Sequence, residues 1–239
     1  MTTRRGGVST GAFASMNLRD GLGDDASAVA QNLAHLTSVV GAPLVRLNQV
    51  HGARVVQLTA ADAAPGAPQH DADACFTTEP GVVCSIQVAD CLPVLFAAPG
   101  AVAAAHAGWR GLAAGVLEST LAALCDTSGC APDQVAAWLG PCIGPRCFEV
   151  GVDVLQAFGV SAAATLTSTA TPPASRFAPT TAGKWLADLP GLARDRLSAC
   201  GVRDVSGGTW CTASDASRFF SFRRDGVTGR MVAAVWLVR

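Results

Sequence analysis

Between residues 82 and 106 the apolar positions fall into three short continuous runs, 82–89, 92–98 and 101–106, each closed by a polar residue or a turn signal. Runs of this length without alternation describe strands buried on both faces. Elsewhere the period lengthens. Val29, Leu33 and Leu36 keep helical spacing over 26–38, with Asp24-Asp25 placed to cap the first turn. Leu112, Val116, Leu117, Leu121 and Leu124 form one stripe over 112–125. Helices are also expected over 151–159 and over 186–200, where Pro190 falls near the first turn. Shorter stretches at Leu44–Leu47, Val55–Leu58, Val135–Leu139, 217–222 and 231–238 read as strands, the last two around the turns Arg224-Asp225-Gly226 and Thr228-Gly229. Residues 6–18 read as a strand and turns, 59–72 as an Ala/Pro/Gly loop, and 161–183 as a mobile loop. Strands mixed with helices, without internal repeat or compositional break, predict one α/β (α+β) domain over 1–239.

Composition supports a packed enzyme-sized domain. Of 239 residues, 50% are apolar and 15% charged, enough to bury a sizeable core. Seventeen basic residues balance eighteen acidic ones, which argues against nucleic-acid binding by bulk electrostatics. The most apolar stretch, Gly81 to Ala107, is interrupted by Gln87, Asp90, Pro93, Pro99 and Gly100, short of the ~18 continuous apolar residues of a membrane span. No secretory-type apolar region follows Arg4-Arg5, and the nine scattered cysteines do not resemble a disulfide framework. A cytoplasmic, reducing setting is therefore expected. Without a heptad pattern, a monomer or weak homodimer is expected. Lys184 is the single lysine beside sixteen arginines, which draws attention to it either as a site residue or as a surface cation.

The residues that could carry chemistry are few. Of four histidines, His51 and His106 stand where strands end in glycine, in Val50-His51-Gly52 and Ala105-His106-Ala107-Gly108; Cys91 lies at another strand break, in Val88-Ala-Asp-Cys-Leu-Pro93. Imidazole and thiolate suit Zn²⁺, and three protein ligands leave a fourth position open. Asp90 could orient a ligand imidazole. The spacing has no local metal-box form, so two hydrogen-bonded histidines and a core thiol remain the alternative reading of the residues alone. His35, in a helix, and His70, in a loop, read as surface groups.

Those same segments, Asn48-Gln-Val-His-Gly52, Ala89-Asp-Cys-Leu-Pro-Val94 and Ala104-Ala-His-Ala-Gly-Trp-Arg-Gly111, resemble the YfiH family. Further blocks match in order: Gly6-Gly-Val-Ser9, Ser15-Met-Asn-Leu18, Asp73-Ala-Cys-Phe-Thr77, Gly140-Pro-Cys-Ile-Gly144 with Phe148-Glu-Val150, Lys184-Trp185 with Asp188-Leu189, and Phe220-Ser-Phe-Arg-Arg-Asp225 with Thr228-Gly-Arg230. The family has been named for multicopper polyphenol oxidase (laccase-like) activity and is described mainly as zinc-dependent purine nucleoside phosphorylases with adenosine deaminase activity. The resemblance implies a layered sandwich of the YfiH or cysteine-hydrolase-like type. It also implies metal binding by His51, Cys91 and His106, with purine nucleosides and phosphate as substrates. Phe148 and Phe222 stand where many relatives are expected to carry Tyr, so no step here rests on a phenol. Cys142 and Cys147 are kept out of the expected site.

For phosphate, Arg110 is the first choice because a guanidinium binds it bidentately; Arg223, Arg224, Arg4 and Arg5 are further choices. Asp90 is an acid/base candidate for deamination, and Trp109 or Phe76 could stack on a base. A multinuclear copper oxidase needs more histidines than four, although copper could occupy one His/Cys/His site. A hydrolase editing peptidoglycan precursors would use Cys91 as nucleophile and His106 as base. A metal-binding scaffold would bind zinc without turnover.

Overall fold

The computed structural model describes residues 1–167, 169–181 and 183–238. Its elements run α1 (Ala26–Val40), β1 (Leu44–Val45), β2 (Val55–Gln57), β3 (Ala74–Thr77), β4 (Val83–Val88), β5 (Leu92–Ala98), β6 (Ala101–Ala107), α2 (Trp109–Ala113), α3 (Val116–Ser128), β7 (Ala136–Leu139), β8 (Glu149–Val150) and α4 (Val152–Ala157). They continue with β9 (Phe177–Pro179), β10 (Trp185–Ala187), α5 (Leu189–Ala199), β11 (Asp204–Gly207), α6 (Phe222–Asp225) and β12 (Met231–Val235). A six-stranded sheet has the order β11-β7-β5-β6-β3-β2, a three-stranded sheet the order β1-β4-β12, and a small antiparallel sheet the order β8-β10-β9.

Strand alternation explains the layering. On β6, Ala101, Ala103, Ala105 and Ala107 face a core shared with Leu117, Leu121 and Leu124 of α3 and Leu192 and Leu197 of α5. Ala104, with Cys75 of β3, faces the opposite way, against Cys84, Ile86 and Val88 of β4. The far side of the three-stranded sheet, through Val232, meets Leu33 and Leu36 of α1. The result is a helix/sheet/sheet/helix sandwich, in which the central strands are covered on both faces and therefore read as unbroken apolar runs. Asp25 caps α1 as expected, accepting from Ser27 and Ala28 N–H.

Several expectations need correction. The stretch 6–18 holds a 3-10 turn at Gly11–Phe13 and no strand; its backbone is tied instead to the Asn32 side chain, which accepts from Val8 N–H and donates to Ser15 O and Asn17 O. The stripe over 112–125 is divided into α2 and α3 at Gly115, whose φ of +90° no other residue adopts cheaply. The expected strand at 217–222 is a turn leading into α6, capped by Ser221; Phe219 and Phe220 are apolar because they plug the core between the sheets. β3, four residues long, lacked the length to show a period. The helix expected over 186–200 starts at Leu189, after β10, with Asp188 accepting from Gly191 N–H at 3.0 Å. The segment 161–183 carries two 3-10 turns and β9, and Trp185 Nε1–H donates to Thr165 Oγ1 at 3.0 Å; positions 168 and 182 of that expectation lie outside the described residues. Among the described residues no helix is long and apolar enough to cross a membrane.

Candidate metal centre and active-site pocket

Two chain crossings from the three-stranded to the six-stranded sheet pass side by side, and each delivers a candidate ligand. The first joins β1 to β2 and carries His51; the second joins β4 to β5 and carries Asp90 and Cys91. His106, the penultimate residue of β6, completes the set. Both crossings turn sharply on non-glycine residues, with φ +62° at His51 and +86° at Asp90, a conformation costing about 1–3 kcal/mol that persists only where neighbours enforce it.

The enforcing groups are two buried carboxylates. Asp73 accepts from the consecutive N–H groups of Val50 (3.2 Å), His51 (2.9 Å) and Gly52 (2.6 Å), which winds the first crossing around it. It also accepts from His106 Nδ1–H at 2.8 Å, leaving the His106 Nε2 lone pair for a ligand. Asp90 accepts from Thr212 Oγ1–H (2.5 Å), Ser221 Oγ–H (3.0 Å) and the Arg223 N–H (2.6 Å), so the second crossing is anchored to the 212–223 segment. The orienting carboxylate for a ligand imidazole is thus Asp73, and Asp90 is a backbone anchor. The Gln49 side chain adds a pair of bonds to the Gln87 backbone beside the first crossing.

The His51, Cys91 and His106 ligand atoms all lie within 4.8 Å of one another, with Cys91 Sγ 4.0 Å from His51 Nε2. Ligands of a tetrahedral zinc stand about 3.3–3.6 Å apart, so no pair needs to close by more than about 1.5 Å. The donor set therefore fits a metal ion. Gly108 makes this crowding possible: a Cβ there would stand 3.0 Å from Cys91 Sγ and 3.2 Å from His51 Cδ2. A Cβ at Gly111 would meet Gly52 O at 2.7 Å, so α2 packs directly on the His51 turn.

Without metal the cluster is a charged pair. Burial opposes the Cys91 thiolate, but the His106 imidazolium and hydrogen bonds from His106 and His51 overcome it and bring the thiol down to about 6. Burial likewise opposes charge on His106, yet the Cys91 thiolate and Asp73 raise it to about 9. Burial of Asp73 is outweighed by His106 and by the Gly52 and His51 N–H groups, which hold its carboxyl below the usual range.

The ligands line a cavity of about 400 Å³, within the range of small-molecule sites. All five sequence-predicted site residues, His51, Asp90, Cys91, His106 and Arg110, line it. Arg110 is exposed and stacks 4.3 Å from the Trp109 ring centre. Arg223, Phe148, Phe222 and Trp109 also reach the cavity; Arg4, Arg5, Arg224, Lys184 and Phe76 do not, and Phe76 is core. Two cations that sequence reasoning missed are Arg19 and Arg230, both half-buried in the wall. Burial and the neighbouring Arg19 hold Arg230 below its ordinary value, a strain that an anion between them would relieve. Their adjacency to the blocks Ser15–Leu18 and Thr228–Arg230 was the available signal. Asp73 was visible only as part of a matching segment. His70 pairs with Asp62 at 2.7 Å, and His35 is exposed on α1.

A family model described as multi-copper polyphenol oxidoreductase laccase matches residues 1–238. A purine nucleoside phosphorylase of Pseudomonas aeruginosa is 47% identical, over 99% of this chain and 92% of its own length. The purine nucleoside phosphorylase YfiH of Escherichia coli is 44% identical, with the same coverage. Among solved structures, a Neisseria meningitidis protein superposes with a TM-score of 0.89 at 46% identity, covering 100% of this chain and 93% of that one. YlmD from Geobacillus stearothermophilus superposes equally well at 34% identity, covering 100% and 90%. With a match along the full length at these identities, the chain belongs to the YfiH family, whose model carries the multi-copper polyphenol oxidoreductase laccase description.

Proposed function

We propose that the protein is a zinc-dependent purine nucleoside phosphorylase that also deaminates adenosine. The observation that carries the reading is the pairing, in one cavity, of a His/Cys/His cluster with the guanidinium groups of Arg19, Arg110, Arg223 and Arg230, of which Arg19 and Arg230 lie close enough for their charges to oppose each other. The names of the relatives support phosphorolysis. A thiolate with two imidazoles suits zinc, while copper remains an alternative occupant of the same ligands.

Zinc, when bound, supplies Lewis acidity at neutral pH. The rest is performed by the chain. Arg19 and Arg230 take the phosphate, replacing Arg110 as first choice because they are half-buried and lie close enough for their charges to interact. Desolvated guanidiniums orient the nucleophilic anion and exclude water from it. Trp109, Phe148 and Phe222 offer ring faces to the purine. Asp73 keeps the His106 proton on Nδ1, and Asp90 holds Cys91 on its turn; we assign Asp90 to positioning rather than proton transfer. The deciding experiment is incubation of zinc-loaded protein with adenosine, with and without phosphate. Adenine and ribose 1-phosphate forming only with phosphate, together with inosine, all absent in Cys91→Ala, are the expected products. Intact adenosine with metal verified in the site rejects the assignment.

One observation favours a second reading. Cys91, His106 and Asp73 are ordered as nucleophile, base and orienting carboxylate, the geometry of a cysteine hydrolase. That reading, including hydrolysis of peptidoglycan precursors, predicts turnover that survives chelation and is abolished by a thiol alkylator.

A further inference from the structure

One polar side chain in the cavity wall has no part in the chemistry proposed above. Gln87 lies inside β4, in Val-Cys-Ser-Ile-Gln-Val, where every residue is buried. It stands opposite Val232 of β12, and its own N–H and C=O point to the other edge of the strand. There β1 has already ended, its last pair being Val45 with Cys84. The Gln49 amide takes the place of a strand: Gln87 N–H donates to Gln49 Oε1 at 2.8 Å, and Gln49 Nε2–H donates to Gln87 O at 2.9 Å.

The Gln87 side chain is fixed as well. Its Nε2–H donates to Leu18 O at 2.6 Å. A backbone carbonyl only accepts, so the amide has one orientation, with nitrogen toward Leu18 and oxygen away from it. Among the described residues the sealed side-chain atoms left without a partner are Glu118 Oε2 and Thr228 Oγ1. Gln87 Oε1 has no protein donor either, but it is not sealed; the residue is 6% exposed and lines the cavity, so this oxygen opens on it. Ser85, the other polar residue of β4, differs: its hydroxyl is engaged by Val45 O at 2.5 Å.

The free acceptor stands beside the cation pair. Leu18, which accepts from Gln87, donates its own N–H to Arg230 O at 3.1 Å and immediately precedes Arg19. Asn17 Oδ1 accepts from both Arg19 N–H (3.2 Å) and Arg230 N–H (2.9 Å). One small network therefore holds Gln87, Arg19 and Arg230, and all three reach the same cavity. Guanidiniums donate to an anion, whereas Oε1 needs a donor, which a phosphate dianion cannot supply and a hydroxyl can.

A nucleoside carries such donors in the right place. In a β-nucleoside both hydroxyls of the ribose 2′,3′-diol lie on the sugar face opposite the base. A phosphate that displaces the base directly approaches C1′ on that same face. Phosphate and diol are thus neighbours during reaction, as the cation pair and Gln87 are neighbours in the wall. Resting on the phosphorolysis reading above, we propose that Gln87 Oε1 accepts a hydrogen bond from the ribose diol and makes the site select ribonucleosides over deoxyribonucleosides. A sugar lacking that hydroxyl leaves a desolvated acceptor unpaired, and the fixed amide cannot rotate to find another donor.

The test compares kcat/KM for adenosine, 2′-deoxyadenosine and 3′-deoxyadenosine, each with phosphate, in the zinc-loaded full chain and in Gln87→Met, which keeps the length and removes the acceptor. In wild type at least one deoxynucleoside should be about 10–100-fold poorer than adenosine. In Gln87→Met adenosine should fall by a similar factor while that deoxynucleoside changes little, so the ratio collapses. Loss of the Leu18 tie alone would lower all three substrates alike and preserve the ratio. Far-ultraviolet circular dichroism establishes that the variant folds, and the wild-type ratio decides the matter if it does not. Equal wild-type turnover of all three, or a ratio preserved in folded Gln87→Met, overturns the proposal and leaves phosphorolysis standing. Wild-type protein that leaves adenosine intact rejects the phosphorolysis reading and this inference together.

Discussion

Replacing Asp73 by Asn tests whether one buried carboxylate organises the metal centre. The side chain is fully buried and accepts four hydrogen bonds, from Val50, His51 and Gly52 N–H and from His106 Nδ1–H. Asn keeps the shape but presents an NH2 group where one carboxylate oxygen stood, so at least one N–H now faces a donor. Losing one charge-assisted bond costs about 1.5–3 kcal/mol, and the donor left facing NH2 adds about 1–3 kcal/mol. Part of that loss falls on folding and part on the metal, because His106 loses the partner that fixes its tautomer. Substituting such partners of ligands lowers metal affinity about 10–100-fold. The assay is zinc competition against a chromophoric chelator, run beside thermal unfolding of the metal-free protein. The expectation is weaker zinc binding by 10–100-fold, about 1.4–2.8 kcal/mol, and a lowered Tm. Wild-type zinc affinity in a variant that is merely less stable would refute the idea that Asp73 acts on the metal through His106.

In metal-free protein the ultraviolet thiolate absorbance assigned to Cys91, taken as the difference from Cys91→Ser, should titrate with a midpoint near pH 6; a midpoint near 9 contradicts the ion pair. The lowered Cys91 contributes above its unfolded value and loses that contribution as pH falls through about 6, while the raised His106 contributes below its unfolded value and loses it as pH rises through about 9, so the pair stabilises the apo fold between those limits. Gly108→Ala places a Cβ 3.0 Å from Cys91 Sγ and should lower turnover about tenfold or more with little change in Tm; unaltered kinetics would show that the ligands have room to spare. Arg230→Gln should raise the KM for phosphate about 10–100-fold and leave zinc content unchanged, whereas Arg110→Gln, exposed at the rim, should do less; the reverse ranking restores Arg110 as the phosphate residue.

The central strands were legible in the sequence because burial on two faces leaves few polar positions inside them, Ser85, Gln87 and His106 being the exceptions in β4 and β6, and α1 was legible from its period and its Asp25 cap. The segment 217–222 misled because Phe219 and Phe220 are apolar for a packing reason that needs no ladder. The candidate ligands drew attention because histidines are scarce and two of them adjoin glycine, and the family resemblance, rather than their spacing, joined them to Cys91. What supports them was hidden: Asp73 is 22 residues from His51 and 33 from His106 along the chain, and its role exists only once β3 and β6 pair. Arg19 and Arg230 were obscured by composition, since among sixteen arginines none stands out until burial separates the wall from the rim.

The candidate ligands come from two chain crossings and a strand end, so an ion held by all three would tie the three-stranded sheet to the six-stranded one. Metal at 100 times its dissociation constant would add about 2.7 kcal/mol to the folded state, a change that lowers the fraction of opened molecules about a hundredfold. Chains synthesised under metal scarcity would then be inactive and also cut sooner by cellular proteases, which act on the opened form. The abundance of this protein would follow the metal supply of its cell without any dedicated sensor.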